Sequence, residues 1–412
     1  MELKQKIINF LKWSERYTGT NMVYIAKGGL WLIFGKIFLV LCSFLVMIVF
    51  ARFLSKEIYG TYKYVLSVAG ILAIFTLPGM DSALIRSVAR GKEGTIFLCF
   101  KEKIKWGTIG GIISLAISIY YFLRGNSILG TSFLIAAFFL PVMDAFFLFQ
   151  AFWQGKKRFD VQNKFLIYVQ AIATAFLILV IFFTKNLFFI LFTYFASYTL
   201  LRAFFFKITS KKLENQEKEI EATSFGKHLS LMTIPGIIGE NLDKILIWKF
   251  LGPIPVAIYS FALLPVIRVR EAVPISPLAL PKLSQRNLSE IKKYLLKKFY
   301  KIFLFSIPLT IIYILLSPYI FKIFLPAYLD SVPYTQALAL ILAFTPFSLI
   351  GTSLIAQMKK RELYLISFLG PSLKIILFFV LLPVLGIWGA VLAILITHIF
   401  NSGLLLYLFK NI

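Results

Sequence analysis

The stretch KFLIYVQAIATAFLILVIFFTKNLFFILFTYFASYTLLRAFFF, residues 164–206, contains two long apolar segments separated only by Thr184, Lys185 and Asn186. A helix needs about 20 apolar residues to cross a bilayer, because the hydrocarbon core is about 30 Å thick and a helix rises about 1.5 Å per residue. Each half of the stretch reaches that length. The stretch therefore predicts two membrane-crossing helices joined by a short turn.

Further apolar stretches of comparable length occur on both sides of this hairpin. The full set of predicted spans lies near 28–50, 61–79, 106–123, 129–153, 164–184, 187–206, 228–250, 255–275, 299–320, 333–356, 364–384 and 387–408. We therefore expect an all-α polytopic membrane protein with about 12 transmembrane helices.

The basic residues of the loops fall mostly on one side of the predicted bundle. If the N-terminus lies in the cytoplasm, 34 of the 44 Lys and Arg residues lie in inner segments and 6 lie in outer ones. Basic loops prefer the cytoplasmic side, so we expect both termini in the cytoplasm and the chain in the cytoplasmic (inner) membrane. The net charge of +26 then faces anionic lipid headgroups, and nucleic acid is not an expected partner.

Two sequence matches indicate that the chain consists of two related halves. Residues 52–54 align with 249–251 at an offset of 197, and residues 154–158 align with 357–361 at an offset of 203. The matches keep their order and nearly keep their spacing. With six spans in each half, the halves are expected to be related by a pseudo-two-fold axis along the membrane normal. Convergent composition of basic loops is the alternative explanation.

We divide the chain into four segments on this basis. Residues 1–27 are expected to form a cytoplasmic interfacial segment, with a disordered tail as the alternative. Residues 28–206 form an N-lobe of helices 1–6, residues 207–227 a cytoplasmic linker, and residues 228–412 a C-lobe of helices 7–12. The linker holds the most polar stretch of the chain, TSKKLENQEKEIEATS at 209–224.

Several stretches resemble a known family in sequence. FARFLSKEIYGTYKYVLSVAGILAIF at 50–75 looks like the first outer turn and second helix of polysaccharide and lipid-linked oligosaccharide exporters, which belong to the multidrug/oligosaccharidyl-lipid/polysaccharide superfamily. Further similar segments follow in the family's order at 241–262, 277–285, 324–334 and 385–396. The resemblance covers most of the chain, whereas each motif alone is weakly specific.

This resemblance implies a MATE-like fold, in which two six-helix lobes enclose a central cavity and work by alternating access. It implies as cargo a polyprenyl-diphosphate-linked oligosaccharide, flipped from the inner to the outer leaflet for assembly of a surface polysaccharide such as O-antigen. The implied partners are the lipid-linked glycan, the bilayer and, at the cytoplasmic face, glycosyltransferases or a polysaccharide polymerase. No cofactor is implied.

The seventh predicted span carries the densest set of charges inside the membrane. Glu240, Asp243 and Lys244 are three and four residues apart, so they share one helix face, and Pro235 and Gly236 precede them. A charge at the centre of a membrane helix costs about 2.5–3.5 kcal/mol, so it marks a candidate functional site. We expect Lys244 to bind the diphosphate and the two carboxylates to orient lysines or bind coupling cations. Pairing of Glu240 with Lys244 along the helix is the alternative.

Three more charges lie deep in other predicted spans: Lys36 in the first, Asp144 in the fourth and Lys374 in the eleventh. Lys36 and Lys374 are predicted to join Lys244 as cationic substrate-binding residues of the lumen, because an ammonium group binds phosphate oxygens as a mobile point charge. Asp144 is grouped with the orienting or coupling carboxylates.

The sequence lacks the patterns that support catalysis or metal binding. His228 and His398 lie in different halves without the spacing of metal ligands, and no phosphate-loop or nucleophile motif is present. Cys42 and Cys99 are predicted at different depths, which argues against a structural disulfide. Every predicted outer loop is short, unlike the large outer loop of polysaccharide polymerases and ligases. We therefore expect a transporter, without a metal or catalytic residues.

A cation-coupled multidrug exporter of the same fold is the closest alternative function. Such an exporter favours an acidic cavity for cationic drugs, whereas the first span offers Lys36 and no acid. The other deep charges are nearly balanced between lysines and carboxylates, so composition does not decide between the two functions. The cationic first helix, the linker and the resemblance at 241–262 favour the glycan lipid.

Overall fold

The computed structural model describes the backbone of residues 22–272, 283, 288–357 and 359–411. Side chains are described for residues 35, 37–271, 283, 299, 302–357, 359 and 361–411. The predicted interfacial segment at 1–27 lies mostly outside the described residues, and so does the side chain of Lys36.

Helices make up most of the described chain. The first half contains α1 Met22–Phe53, α2 Lys56–Leu72, α3 Gly79–Ala89, α4 Thr95–Leu123, α5 Ser127–Met143, α6 Leu148–Gly155, α7 Phe159–Phe183 and α8 Leu187–Ser210. The second half contains α9 Glu221–Leu251, α10 Pro253–Ala272, α11 Leu288–Phe324, α12 Val332–Ala339, α13 Phe347–Ala356, α14 Lys360–Leu385 and α15 Ile387–Lys410. Short 3₁₀ turns lie at Ala73–Thr76, Pro326–Ser331 and Leu340–Phe344.

Most of these helices can cross a membrane. Within the described ranges, nine segments are long and apolar enough, and Pro326–Phe344 with Phe347–Ala356 forms a tenth that bends by 44°. α1 contributes the apolar stretch Ile37–Phe53, and α9 has the length but carries a cluster of charges at its centre. The predicted all-α polytopic membrane fold is thereby confirmed.

The chain passes back and forth between two ends of the bundle. At one end, which we call the connection end, residues 211–220 join α8 to α9, α1 begins and α15 ends. The opposite end, which we call the far end, holds the turns from α1 to α2, from α9 to α10 and from α14 to α15. Three of the crossing segments, α2–α3, α5–α6 and α12–α13, are broken near their middle.

Proline accounts for these breaks, because it lacks an N–H and clashes with the preceding helical turn. Pro78 follows Leu77, whose φ of 55° is left-handed, at the break between α2 and α3. Pro141 lies inside α5 shortly before that helix ends. Pro346 precedes α13 directly. The breaks leave backbone carbonyl groups near the middle of the membrane, which is tolerated only where protein or water satisfies them.

α9 packs against both halves of the molecule. Its first turns lie on α3, where Ser230 Oγ accepts a 2.9 Å hydrogen bond from the backbone nitrogen of Gly79. This approach requires a glycine, because a Cβ at Gly79 would lie 2.5 Å from the carbonyl oxygen of Gly226. The last turns of α9 pack against α2, α10 and α14. α9 therefore links the two halves, and the predicted boundary between linker and C-lobe at 227–228 falls inside it.

The 211–220 connection is fastened to the turn between α3 and α4. Glu93 in this turn is 2% exposed. Its carboxylate accepts hydrogen bonds from Lys156 Nζ at 2.5 Å and from the backbone nitrogen of Glu214 at 2.8 Å. Because a buried carboxylate is stable only when it is paired and hydrogen-bonded, Glu93 fixes the connection against the first half of the chain.

A second carboxylate, that of Glu219, ties the end of the connection to α3. The hydroxyl of Ser87 donates to it at 2.6 Å and Arg90 at 3.2 Å. The Ser87 hydrogen bond, supported by the charge of Arg90, holds the pKa of Glu219 below its usual value. A lowered pKa in the folded state stabilises the attachment above the unfolded value of about 4.3, and this stabilisation is lost as the pH falls through the folded value.

Glu93→Ala is expected to release the connection, because Lys156 and the backbone nitrogen of Glu214 lose a buried partner. Removing such a partner costs about 1–3 kcal/mol, which corresponds to about 5- to 150-fold in an opening equilibrium. Trypsin cleavage at Lys211, Lys212 and Lys218 should accelerate accordingly, as measured by mass spectrometry of the fragments.

Glu214→Ala is the matched control for this experiment. Glu214 also pairs with Lys156, at 2.9 Å, but its side chain is 76% exposed. Exposed ion pairs contribute about 0–1 kcal/mol, so cleavage should change little. Equal acceleration in the two variants would contradict the buried anchor.

Candidate functional site

A cavity of about 790 Å³ lies inside the bundle, mainly between helices of the second half. It is lined by Lys63 of α2, Gly236, Gly239, Glu240, Asp243 and Lys244 of α9, Ser260, Leu263, Leu264, Val266, Ile267, Arg270 and Glu271 of α10, Ile341, Thr345 and Ser348 at or before the start of α13, Pro371 and Lys374 of α14, and Ile394, Thr397, His398 and Asn401 of α15. The cavity extends toward the connection end, where α10 ends.

Charged groups from four helices face this space. In the described part of the chain they are the basic residues Lys63, Lys244, Arg270 and Lys374 and the acidic residues Glu240, Asp243 and Glu271. The basic residues therefore exceed the acidic ones by one positive charge. Because each charge would be costly in hydrocarbon, such a group is expected to face water or a polar ligand.

Asp243 anchors the centre of the site and is only 1% exposed. Its carboxylate accepts hydrogen bonds from the Tyr259 hydroxyl at 2.7 Å and from Lys244 Nζ at 2.9 Å. Lys244 Nζ also donates to the carbonyl oxygen of Glu240 at 3.2 Å. These contacts fix the ammonium group of Lys244 at the cavity wall, where its side chain is 17% exposed.

Glu240 and Lys374 also face the cavity, but neither is held in a described ion pair. The ammonium group of Lys374 lies 5.4 Å from the centre of the Phe378 ring. Glu240 is exposed, and the neighbouring lysine contacts its backbone carbonyl and not its carboxylate. The structure thus brings together four of the predicted residues: Glu240, Asp243, Lys244 and Lys374.

Asp144 lies in a different place, at the end of α5 in the first half. Arg202 of α8 pairs with its carboxylate at 3.1 Å, and the hydroxyl of Thr76 donates to it at 3.3 Å. The guanidinium group of Arg202 also lies 4.2 Å from the centre of the Phe147 ring. Asp144 is therefore not among the residues that line the cavity, and we leave it out of the proposed substrate site. Lys36 lies on α1, and its side chain is outside the described part.

Lys63 is a residue of this site that sequence reasoning did not identify. The charge count placed it among the outer loop charges, whereas the structure places it inside α2. Ser55 explains the difference, because its hydroxyl accepts a hydrogen bond from the nitrogen of Ile58 and so caps a helix that begins at Lys56. Reading Ser55 as an N-cap would have put Lys63 two turns inside a membrane helix.

Two neutral polar groups of the cavity wall also lack partners in the described structure. Ser260 Oγ and Asn401 Oδ1 are buried and form no hydrogen bond to another described atom. A buried polar group without a partner costs about 1–3 kcal/mol, so such groups commonly meet water or ligand. They offer hydrogen bonds to a hydroxyl-rich ligand.

At the far end, aromatic residues from both halves close the cavity. Tyr59 of α2 packs against Phe261 of α10 with ring centres 4.4 Å apart, and Phe261 packs against Tyr328 at 3.8 Å. Tyr64 stacks on Trp248 of α9 at 4.5 Å with ring planes 13° apart. We call these five residues the far-end seal.

Polar contacts between the halves lie beside this seal. Lys56 at the start of α2 forms a 2.6 Å ion pair with Asp330. A guanidinium nitrogen of Arg52 donates to the carbonyl oxygen of Ile323 at 3.0 Å. Both pairs join the first half to the second, so the structure represents a conformation that is closed at the far end.

The sequence matches the model of a family described as polysaccharide biosynthesis protein over residues 25–267, which is more than half of the chain. The chain belongs to this polysaccharide biosynthesis protein family. No curated protein matches it significantly. The family assignment and the crossing helices together make it a multi-pass membrane protein of this family.

Solved structures of transporters share the fold of this chain. The lipid II flippase MurJ in an inward closed conformation matches with a TM-score of 0.68 and 17% identity, over 93% of this chain and 87% of that one. A MOP superfamily transporter from Pyrococcus furiosus, described as having a binding pocket of reversed polarity, matches with a TM-score of 0.64 and 12% identity, over 93% and 95% of the two chains.

An outward-facing multidrug resistance MATE family transporter matches with a TM-score of 0.61 and 11% identity, over 93% of this chain and 94% of that one. Identities this low show the fold alone. The predicted MATE-like fold of the protein is therefore confirmed, whereas the cargo is not specified by these structures.

Proposed function

We propose that this protein flips a polyprenyl-diphosphate-linked oligosaccharide from the inner to the outer leaflet by alternating access. In this proposal both termini and the connection end face the cytoplasm, and the protein acts as a transporter and not as an enzyme. The family match and the likeness in fold to a lipid II flippase support a lipid-linked glycan as cargo. The glycan would serve surface polysaccharide assembly.

The observation that carries this proposal is the set of ammonium groups at one cavity inside the membrane. Lys63, Lys244 and Lys374 come from three different helices and line the same space. A diphosphate group has several anionic oxygens, and lysines bind such oxygens as point charges. Asp243 would orient Lys244, and Lys36 would add a further cation from α1. Glu240 is the candidate carboxylate for a coupling cation.

The physical problem of such a transport step is the polar head of the substrate. Sugar hydroxyls would be unsatisfied in hydrocarbon, which costs several kcal/mol for each group. Unpaired groups of the cavity wall, such as Ser260 and Asn401, can satisfy some of these hydroxyls. A negative interior favours outward movement of the anionic diphosphate by about 2.3 kcal/mol per charge per 100 mV.

A cation-coupled multidrug exporter is the second candidate function. The observation that favours it is the exposed carboxylate of Glu240, which faces the same cavity without a described ion pair. In that function a cationic drug would bind at the Glu240 carboxylate, whereas in a site built for a diphosphate the surrounding lysines would repel such a drug. The two functions therefore predict opposite charge preferences for ligands.

The test compares farnesyl diphosphate, farnesol and ethidium as ligands of the protein in nanodiscs. We expect farnesyl diphosphate to bind much more tightly than farnesol, because only the diphosphate contacts the lysines. Lys374→Met should weaken diphosphate binding by about 10- to 150-fold, the range for a hydrogen bond to a charged group. Binding is measured by native mass spectrometry or calorimetry.

Lys249→Met is the matched control, because Lys249 is an exposed lysine that does not line the cavity. Lys374 is preferred to Lys244 as the test residue, since removing Lys244 would strand the buried Asp243. Unchanged diphosphate binding in Lys374→Met, or equal affinity for farnesol, would refute the proposed site. Tight binding of ethidium that Glu240→Gln abolishes would favour the multidrug function.

A further inference from the structure

Lys63 is a cation of the first half that no described carboxylate neutralises. It is absent from the ion pairs of the described residues, and its ammonium group lies over aromatic rings, 5.4 Å from the centre of Tyr59 and 5.9 Å from that of Tyr62. A cation over an aromatic face is held more weakly than a cation in a buried ion pair. The Lys63 ammonium group therefore lines the cavity and can bind an anion.

Positive charges of the other half act on Lys63. Lys244 and Arg268 are the charged groups that act on it most strongly. Lys63 of α2 and Lys244 of α9 line the same cavity, and Tyr64, next to Lys63, stacks on Trp248, one helical turn after Lys244. Like charges therefore face each other across the interface between the halves.

Lys63 is also rigidly coupled to the far-end seal. Tyr59 and Gly60 precede it by one helical turn on α2, and Tyr59 contacts Phe261 of the other half. Gly60 lies so close to α10 that a Cβ there would be 1.9 Å from the carbonyl oxygen of Pro253. Separation of α2 from α10 at the far end must therefore carry Lys63 away from Lys244.

We propose that a diphosphate anion bridges Lys63 and Lys244 and that this bridge exists only while the far-end seal is closed. The identity of the anion rests on the proposed function. With the anion in place, the repulsion between the two ammonium groups becomes attraction of both toward one ligand. Opening the seal splits the bridge and leaves the anion with the lysines of one half only.

Thermodynamic linkage gives this arrangement a measurable consequence. A ligand that binds the closed conformation better must stabilise that conformation by the same factor. The diphosphate should therefore hold the seal closed, and opening the seal should weaken the binding of the diphosphate. Release at the far end then follows from the opening itself and needs no competing ligand.

The experiment reports on the seal with a thiol placed among its residues. Ala257 of α10 is 0% exposed and packs in the apolar cluster that contains Tyr59 and Phe261. Ala257→Cys in nanodiscs is treated with a bulky maleimide, against the slow background of the two native cysteines, which are buried. Saturating farnesyl diphosphate should slow modification by about 5- to 150-fold, the usual range of coupling between two sites. Farnesol should have no effect.

Two further variants, Lys63→Met and Lys56→Met, are each combined with the Ala257→Cys thiol. They distinguish the effect of the anion bridge from the effect of the seal contacts. Lys63→Met should still bind the diphosphate at high concentration through the remaining lysines but should lose the protection. Lys63→Arg should retain it. Lys56→Met removes an ion pair of the seal, so it should raise basal modification and keep the protection by diphosphate.

Three outcomes would overturn the inference. They are full protection in Lys63→Met, acceleration of modification by the diphosphate in the wild-type background, and complete loss of diphosphate binding in Lys63→Met even at high concentration. Absence of diphosphate binding in the wild-type background would instead refute the proposed function. The binding measurement detects that outcome independently of the maleimide experiment.

Discussion

Asp243→Ala is expected to destabilise the folded protein by about 3–5 kcal/mol, the usual cost of removing one partner of a buried ion pair. The carboxylate of Asp243 holds the Tyr259 hydroxyl and the Lys244 ammonium at 2.7 and 2.9 Å. Without it, the buried Tyr259 hydroxyl and the partly buried Lys244 ammonium lose their charged partner. The change in stability is measured by denaturant-driven unfolding in mixed micelles, followed by tryptophan fluorescence.

Glu240→Ala is the matched control for this substitution. Glu240 lies one turn earlier on α9 and faces the same cavity, but it is exposed and its carboxylate has no described ion pair. Its removal should change stability by no more than about 0.5 kcal/mol. If Asp243→Ala unfolds at the same denaturant concentration as Glu240→Ala, the network of Asp243 does not stabilise the centre of the protein.

Gly60→Ala is expected to open the far-end seal. A Cβ at Gly60 would lie 1.9 Å from the carbonyl oxygen of Pro253, a backbone atom that cannot rotate away. Overpacking of this kind costs about 1–3 kcal/mol, and the strain is relieved when α2 moves away from α10. The population that is open at the far end should rise by about 5- to 150-fold, as measured by maleimide modification of Ala257→Cys.

Gly403→Ala provides the control for Gly60→Ala. Gly403 lies in α15, and a Cβ there would meet nothing within 4 Å. The Gly403→Ala substitution should leave the rate of maleimide modification unchanged. It should stabilise α15 slightly, because alanine has a higher helix propensity than glycine. A Gly60→Ala protein that is folded and modified no faster than the parent would show that the strain is absorbed without separation of the halves.

The two halves of the molecule use their charged residues differently. In the first half, Asp144 and Arg202 neutralise each other inside one lobe, which removes the cost of isolated charges from the membrane. In the second half, Asp243 neutralises Lys244 but leaves its ammonium at a cavity wall. Lys374 and Lys63 reach the same cavity without a described carboxylate partner. The charge available to a ligand is therefore concentrated on one side of the bundle.

Much of the architecture was predictable from the chain because a bilayer imposes a length and a polarity on every crossing helix. The helical hairpin at 164–206 appears in the structure as α7 and α8, joined at residues 184–186. The resemblance of 50–75 and 241–262 to polysaccharide exporters pointed to the family that the match over 25–267 confirms. The clustering of Glu240, Asp243 and Lys244 followed from helical spacing alone.

Other features of the site were not predictable, because they depend on how helices rotate and pack. Lys63 was counted with the outer loop charges although the predicted span at 61–79 includes it, and the N-cap at Ser55 places it two turns inside α2. Asp144 and Lys374 looked equivalent as deep charges. In the structure, Arg202, which is 58 residues away in sequence, pairs with Asp144, whereas Lys374 lines the cavity.

By itself, the sequence determined that the chain is an all-α membrane protein and predicted about twelve crossing segments, because apolar length must match the thickness of the hydrocarbon core. It also determined that the charges of α9 share one face, because helical periodicity is a local property. Only the tertiary structure decided which of the deep charges meet. The packing of α2 against α9 and α10 brings Lys63 and Lys244 to one cavity. No local pattern predicts this, because contacts between helices far apart in sequence depend on the shapes of whole helix faces.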